Sequence, residues 1–388
     1  MDLDAFEASP VGRLVPIMVH RRGESVPYHA FVPDPLPTDP ILGSTTWKAV
    51  VDAAVALAEL RTLADDRLPD PVLIGRVTVR REAVSTSALE GTYAPARQVL
   101  SLEMDEHTPR DAGVTEILNY VKAWDDAVAS ELPICVRLAC DLQKRLVVGT
   151  PSEDYQAGKV RETQVLIGPY RGCSIEESTY VPPPPGDDLT NGLTNWEKWL
   201  HESSCDDIVK VALGHYQFEA LHPFTDGNGR IGRLLAILQL IHAKLLPGPL
   251  INLSPYLEQR ADEYRHRLRA VSTGGAVDEW VQFFCEAIAS QAIEAQARIR
   301  SLLSWRDDTV DMLRAKGRKG SVVDLIPCLI EYPMITVKQA QAKLGVSNPS
   351  ANGAVNSLAM MGILTETTGG SYGRVFEASS VLDIIFGP

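Results

Sequence analysis

Long apolar runs are missing from this 388-residue chain. None reaches the roughly 18 residues that a membrane-spanning helix requires, so no membrane partner is expected. Cysteine is scarce too. Its six copies, at 135, 140, 173, 205, 285 and 328, contain no paired short spacing of the zinc-binding kind. They read as reduced, mostly buried thiols of a cytosolic protein. The first residues, Met1-Asp-Leu-Asp-Ala-Phe-Glu7, are acidic and carry no signal-peptide pattern, which adds to the expectation of a cytoplasmic location. Basic charge is in deficit: 37 Lys and Arg stand against 50 Asp and Glu, a net −13. That excludes bulk attraction to nucleic acid, though not a small local DNA site. Internal repeats and long low-complexity tracts are absent. What remains, with 45% hydrophobic and 22% charged residues, is a globular chain long enough for two or three domains.

Against this plain background one stretch stands out, His222-Pro-Phe-Thr-Asp-Gly-Asn-Gly-Arg-Ile-Gly-Arg233, followed at once by the apolar run Leu234 to Leu240. The pattern is that of an anion-binding loop opening a buried helix, whose free N–H groups and partial positive charge attract phosphate. Gly227 and Gly229 let backbone N–H groups approach such an anion closely. Arg230 and Arg233, three apart, lie on neighbouring parts of one helical face and can fork onto phosphate oxygens. Asp226 supplies a hard carboxylate oxygen beside them, the natural ligand for Mg2+ or Mn2+. His222 stands just before the loop as a base suited to neutral pH. Each residue also has a structural reading: Asp226 or Asn228 as a helix cap, the arginines as surface charges, the glycines as a tight turn. Four such coincidences within twelve residues weigh toward a site. The segment has no Gly-Lys-Ser/Thr ending, so it is not a Walker loop, and no strand precedes it, so it is not a dinucleotide fingerprint.

The segment resembles the signature of the Fic family, His-Pro-Phe-x-Asp-Gly-Asn-Gly-Arg-x-x-Arg, at all nine fixed positions. The resemblance implies a mainly α fold, an all-helical core with a short β-hairpin flap, and transfer of AMP from ATP to a Ser, Thr or Tyr hydroxyl of a protein, the chain itself included. It implies His222 as the base that deprotonates the hydroxyl and Asp226 as the metal ligand. Asn228 and the amides of Gly227 and Gly229 are then expected at the α- and β-phosphates, with Arg230 and Arg233 at the β/γ end. Gly229 favours nucleotidyl over phosphoryl transfer, since related Doc-type kinases carry lysine there. Upstream, Thr86-x-x-x-Glu90-Gly91 resembles the family's inhibitory motif, in which the glutamate pairs with the second arginine, here Arg233. Read alone, the same residues are a helix end with Gly91 beyond it. Gln164-Val165-Leu166-Ile167, with the run Tyr180-Val-Pro-Pro-Pro-Pro185 after it, reads as a strand or hairpin arm under an extended cover. It resembles the family's flap, which registers the target as an added strand. Tyr264 lies where relatives flank the adenine, although Val271 and Ser272 stand where some relatives place asparagine.

Three regions are expected: 1–105, an N-terminal module with the inhibitory helix; 106–305, the catalytic core; and 316–388, a winged helix-turn-helix-like domain. The first begins with an extended proline-rich lead, Val32 to Pro40, then a helix from Thr46 to Asp65. Helices are expected through Ile208 to Phe218, from Ile231 to Leu246, and from Asp278 past Ile299. The tail reads as three helices, Val322–Ile330, Thr336–Gly345 and Ser347–Met360, then two short strands around a glycine turn. A winged helix can enter the major groove or dock a protein. Its third helix offers uncharged Ser347, Asn348, Ser350, Asn352 and Asn356, so both uses stay open. A homodimer is compatible with the sequence. Two other functions compete with AMP transfer: removal of AMP by the same site, and an ATP-sensing regulator that binds DNA through the tail.

Overall fold

The structure, a computed structural model, describes residues 1–21, 24–68, 71–104, 110–170, 172–369 and 373–387. The boundary expected at 105/106 and the tip of the tail's glycine turn, Gly370 to Tyr372, lie outside those residues. Helix α1 (Leu3–Glu7), capped by Asp2, leads into an antiparallel hairpin of β1 (Gly12–Arg21) and β2 (Glu24–Pro33), in register from Gly12 opposite Pro33. The sequence reading found no structure in these arms. Its missed signal is Val15, Ile17 and Val19, β-branched residues at period two. Phe6, Phe31 and Tyr180 cluster at 5.1–6.1 Å, with Phe31 edge-on to the other two rings, and the Phe31 N–H donates to the Val181 carbonyl, which ties the hairpin to the expected flap.

Helices then follow one another: α2 (Ser44–Arg67), α3 (Pro71–Leu89), α4 (Ala96–Met104), α5 (Ala112–Ala129) and α6 (Val136–Val147). A long irregular segment leads to α7 (Asp187–Glu202), α8 (Asp207–Leu221), α9 (Asn228–His242), α10 (Ser254–Gln259), α11 (Ala261–Gly274) and α12 (Val277–Ala315). Helix α2 matches the Thr46–Asp65 expectation with two residues more at each end. Helix α12 starts one residue before Asp278, as its acidic first turn suggested, and runs 39 residues, well past Ile299. The α8–α9 pair forms the centre. Both are buried on nearly every side, so neither shows the one-sided stripe of a surface helix. Helix α12 packs on α8 and lies along α2, with the Trp280 indole N–H donating 2.8 Å to the Ala212 carbonyl of α8.

The tail holds α13 (Ser321–Glu331), β3 (Met334–Thr336), α14 (Val337–Leu344), α15 (Asn348–Met360), β4 (Thr365–Glu366), β5 (Val375–Glu377) and α16 (Ser379–Phe386), with antiparallel sheet order β3-β5-β4. The three expected helices are present; β3 and α16 are additions. Thr336 and Gln339 cap α14 reciprocally, and Gly345 ends it at φ +63°. The tail grips both segments that flank residue 90. On α3, Arg76 pairs with Glu331 at 3.1 Å and donates to the Tyr332 hydroxyl at 3.0 Å. On α4, Arg97 pairs with Glu377 and Asp383, each at 3.0 Å, and Leu100 packs with Met334, Val375 and Leu382. One apolar cluster extends from Phe6 to Ile385. All six cysteines are free thiols, three of them buried, and among the described residues no helix is long and apolar enough to cross a membrane.

Candidate functional site

Helix α8 is started by Asp206, whose carboxylate accepts from the N–H groups of Ile208 and Val209, and ended by His222 at φ 49°, ψ 63°. Only His222 and Lys244 among the described non-glycine residues have positive φ. That conformation is sparsely populated for a side-chain-bearing residue and persists where surroundings enforce it. The enforcing group is Arg161. Its side chain is 2% exposed and faces carbonyls rather than a carboxylate. Nε donates to the His222 carbonyl at 2.8 Å, Nη1 to Thr163 at 3.1 Å and Nη2 to Pro183 at 2.6 Å, while its backbone N–H reaches Pro223 at 2.9 Å. Burial lowers its pKa to about 10, so it stays charged at neutral pH. Arg161 thus staples the flap segment to the turn that carries His222.

The rest of the loop is shaped from within. Asn228 accepts from the Phe224 N–H at 2.8 Å and donates to the Phe224 carbonyl at 2.9 Å. Its side chain, expected at a phosphate, is here spent on closing the loop, and only its backbone N–H faces the same task as those of its neighbours. Gly227 sits at φ 86°, and a Cβ there would come within 2.8 Å of the Leu146 side chain. No side chain caps α9, so its first-turn N–H groups are available to an anion.

Three carboxylates meet the two loop arginines. Arg230, 3% exposed, donates to Asp226 Oδ1 and to Glu116 Oε2, each at 2.8 Å. The other Asp226 oxygen accepts from the Ser152 hydroxyl at 2.6 Å. Arg233 is fully buried and belongs to the upstream motif: Nε donates to the Thr86 hydroxyl at 2.7 Å, Nη2 to the Thr86 carbonyl at 3.2 Å and to Glu90 Oε1 at 2.6 Å. Burial alone would raise the Glu90 carboxyl, but the charges of Arg233 and Arg230 outweigh it and hold it below its ordinary range. Gly91 follows α3 at φ 86°, the helix end read from the sequence. Gly229 acquires a second reason here: a Cβ on it would lie 2.2 Å from Glu90 Oε1 and 2.8 Å from Arg233 Nη1. The pair occupies the space a side chain would need.

A cavity of about 600 Å3 opens beside the pair, lined by His222, Gly229, Arg233, Glu90, Ile167 and Tyr264 among others. Burial, with Arg161 adding, pushes the His222 imidazole down to about 4, so it is neutral through the physiological range. Nδ1 faces the Glu219 carbonyl at 3.3 Å and therefore carries the proton. That leaves Nε2 with its lone pair, the tautomer a base requires. Tyr264 is buried in the cavity wall with its hydroxyl 2.8 Å from His215 Nε2, so its polar end is committed to the protein.

The flap corrects an expectation. Gln164 to Ile167 is not a strand; the hairpin reduces to one antiparallel bridge between Ile167 and Tyr180. Pro169 and the prolines from 182 to 185 lack the N–H groups that would extend pairing. Ile167 reaches the cavity, whereas the Gln164 carboxamide turns back to the carbonyls of Val165 and Pro182, at 3.1 and 2.9 Å. The backbone of Val165 and Leu166 is left outside any ladder. Sequence reading assigned no role to Glu116, Ser152 or Glu219, and none to Arg161 beyond its place in the flap segment. Nothing in their spacing announces them.

Known proteins resemble this arrangement. Residues 133–240 match the model of the Fic/DOC family, and residues 47–129 match that of the Fic/DOC family N-terminal region. A 214-residue stretch is 28% identical to the protein adenylyltransferase Fic of Drosophila ananassae, over 52% of this chain and 38% of that protein. The Drosophila virilis protein of the same name is 29% identical over 205 residues, 50% of this chain and 37% of its own. The matched part thus spans well under half of those relatives. A crystal structure of a Fic family protein from Desulfovibrio desulfuricans G20 superposes with a TM-score of 0.58 at 20% identity, over 88% of this chain and 98% of that one. Fic-1 from C. elegans does so at 0.51 and 20%, over 66% and 75%. At such identities the likeness speaks for the fold.

Proposed function

This chain belongs to the Fic/DOC family, and we propose that it is a protein adenylyltransferase that moves AMP from ATP to a Ser, Thr or Tyr hydroxyl of a protein and is held down by its own Glu90. One observation carries the reading: a neutral His222 and a Glu90–Arg233 pair at 2.6 Å share one cavity at the N-terminus of α9. The α9 amides and Arg230 take the phosphates, and Gly227 and Gly229 keep the approach open. Ser152 and Arg230 aim the Asp226 carboxylate, a lone hard ligand of the kind that suits Mg2+ or Mn2+ alongside substrate phosphates. An ion held by Asp226 and the substrate phosphates would neutralise phosphate charge. The target backbone adds to the flap at Gln164 to Ile167, where the backbone of Val165 and Leu166 lies outside any ladder. Its hydroxyl gives its proton to His222 Nε2 and attacks the α-phosphorus; the bond to the β-phosphate oxygen breaks and pyrophosphate leaves. Arg233 serves the γ end once Glu90 releases it. In the same reading residues 1–105 are the inhibitory module, 106–305 the catalytic core, and 316–388 a winged-helix-like module docked on the first.

The test uses wild type, Glu90→Gly and Glu90→Gly/His222→Ala with α-labelled ATP and Mg2+. Label on protein is expected from the single variant at least tenfold above wild type and from neither of the others. Equal labelling by wild type and Glu90→Gly would remove the inhibitory role. Labelling that survives loss of His222 would remove the base. Release of AMP from a modified protein, with no incorporation, would assign AMP removal instead.

A further inference from the structure

The cavity wall away from the loop contains a carboxyl that AMP transfer, as derived above, does not use. Glu219 lies in the last turn of α8, three residues before the helix-ending His222, and both side chains line the cavity. Its side chain is 13% exposed, and its Oε1 is buried with no hydrogen-bond partner. The nearest basic nitrogen is His215 Nε2 at 3.9 Å, beyond hydrogen-bond reach and already engaged by the Tyr264 hydroxyl at 2.8 Å. His215 is no counter-ion either, because burial, with Arg233 adding, pushes its imidazole down to about 3. Burial pushes the Glu219 carboxyl up to about 7 against the pull of Arg233. Buried acceptors are nearly always satisfied, and an orphan is the exception that calls for a ligand, a water or a strained role.

The surrounding wall sharpens the point. Tyr216 and Ser272 hydrogen-bond each other at 3.0 Å, Tyr264 is held by His215, and Asp262 at the exposed mouth pairs with Arg265 at 2.8 Å. Among these side chains Glu219 is the buried acceptor with open capacity: its side chain, 13% exposed, lines the cavity whose other end would receive phosphates, while Oε1 itself lies covered by the protein. Phosphates present no donor to it and repel its charge. The donors of ATP all lie on its nucleoside half.

We propose that Glu219 is the nucleotide-recognition residue of this cavity, its carboxyl accepting a hydrogen bond from a donor on the nucleoside half of ATP: the 6-amino group of the base or a ribose hydroxyl. The inference rests on the nucleotide reading of the site. A site built to accept from a donor rejects an analogue that lacks it, because the buried acceptor is then left unpaired. A 6-oxo base adds an acceptor facing an acceptor.

Calorimetric titration of the full chain carrying Glu90→Gly tests this, with Mg2+ and ATP, inosine triphosphate, 2′-deoxy-ATP, 3′-deoxy-ATP and tripolyphosphate as ligands. The parent should prefer ATP over at least one donor-lacking analogue by about tenfold or more. In Glu90→Gly/Glu219→Ala that preference should shrink to about twofold or less, with tripolyphosphate binding unchanged; Glu219→Gln, which keeps an acceptor oxygen and the shape, should retain part of it. The inosine arm identifies the amino group and the deoxy arms the hydroxyls. A preference that survives Glu219→Ala overturns the inference, and so does equal weakening for every ligand including tripolyphosphate, which would mark a merely structural carboxyl. A parent that binds no nucleotide at all would instead overturn the reading on which the inference rests.

Discussion

His222 holds a left-handed conformation that histidine adopts only when compelled, and what compels it is a buried arginine sixty-one positions earlier. Arg161 ties four carbonyls by its side chain alone, those of His222, Thr163, Pro183 and, at 3.5 Å, Leu221. Replacing it with Met would leave them buried without donors and free the turn. We expect a loss of about 2–4 kcal/mol in urea unfolding and a fall in transfer by the Glu90→Gly chain that exceeds any change in ATP affinity. Lysine keeps the charge but not the fork, so Arg161→Lys should recover only part of either quantity. A variant with unaltered stability and rate would show that the turn is set by the loop alone. The loop itself was legible because its chemistry is contiguous, twelve residues with nine at family positions. Its partners were not: Glu116 meets Arg230 across 114 positions and Glu90 meets Arg233 across 143, and of these only Glu90 sits in a motif of its own.

Elements with a clean period were equally readable, and those without were not. Helices α2, α12, α14 and α15 follow from apolar spacing and end signals that the structure reproduces within a residue or two, save the C-terminal end of α12, which runs well past Ile299. The β1–β2 hairpin escaped notice because Pro16 and Pro27 interrupt arms that are otherwise β-like, and both positions face each other's strands without breaking the register. The flap erred in the other direction: alternation at Gln164 to Ile167 promised a strand, but prolines opposite it offer no donors. At this scale the docking of the tail on α4 is testable. Arg97 is half exposed, while the Glu377 carboxylate it meets is 7% exposed. Arg97→Ala removes the cation and leaves that carboxylate buried, which should destabilise the chain by about 1–3 kcal/mol and speed amide exchange in α4 and α16 before α9. Exchange that rises uniformly, or not at all, would argue against a local anchor.

Across the whole molecule, buried imidazoles link stability to pH. His222 is held near 4 against an ordinary 6.5. Between those values the unfolded chain binds a proton that the folded chain refuses, so this residue makes stability fall as pH drops from about 6.5 to about 4. Glu219, raised from 4.5 to about 7, acts oppositely: it binds its proton in the folded state, and its contribution is lost as pH rises through that window. Wild type and His222→Asn isolate the first effect, since asparagine tolerates left-handed backbone. Their difference in urea-unfolding free energy should shift in favour of the variant as pH is lowered from about 7 to about 4, at up to about 1.4 kcal/mol per pH unit. A difference independent of pH would mean that His222 titrates normally in the folded chain.

In the function proposed above, the guanidinium of Arg233 has two claimants, Glu90 and the nucleotide, and only one can hold it. On that proposal Glu90 is a competitor that never diffuses away, and nucleotide would meet a population rather than a rigid receptor: most molecules with the arginine occupied, a fraction with it free. Apparent affinity is then the intrinsic affinity scaled by that fraction, whatever the quality of the cavity. Removing Glu90 should move two observables in opposite directions. The melting temperature without ligand falls, because a fully buried arginine loses its counter-ion, while the further rise on adding ATP grows, because ligand no longer has to displace an occupant. If Glu90 does restrain the site as proposed, whatever loosens the segments on either side of residue 90, both of them gripped by the tail, would change the fraction of molecules with Arg233 free without touching a single atom of the site.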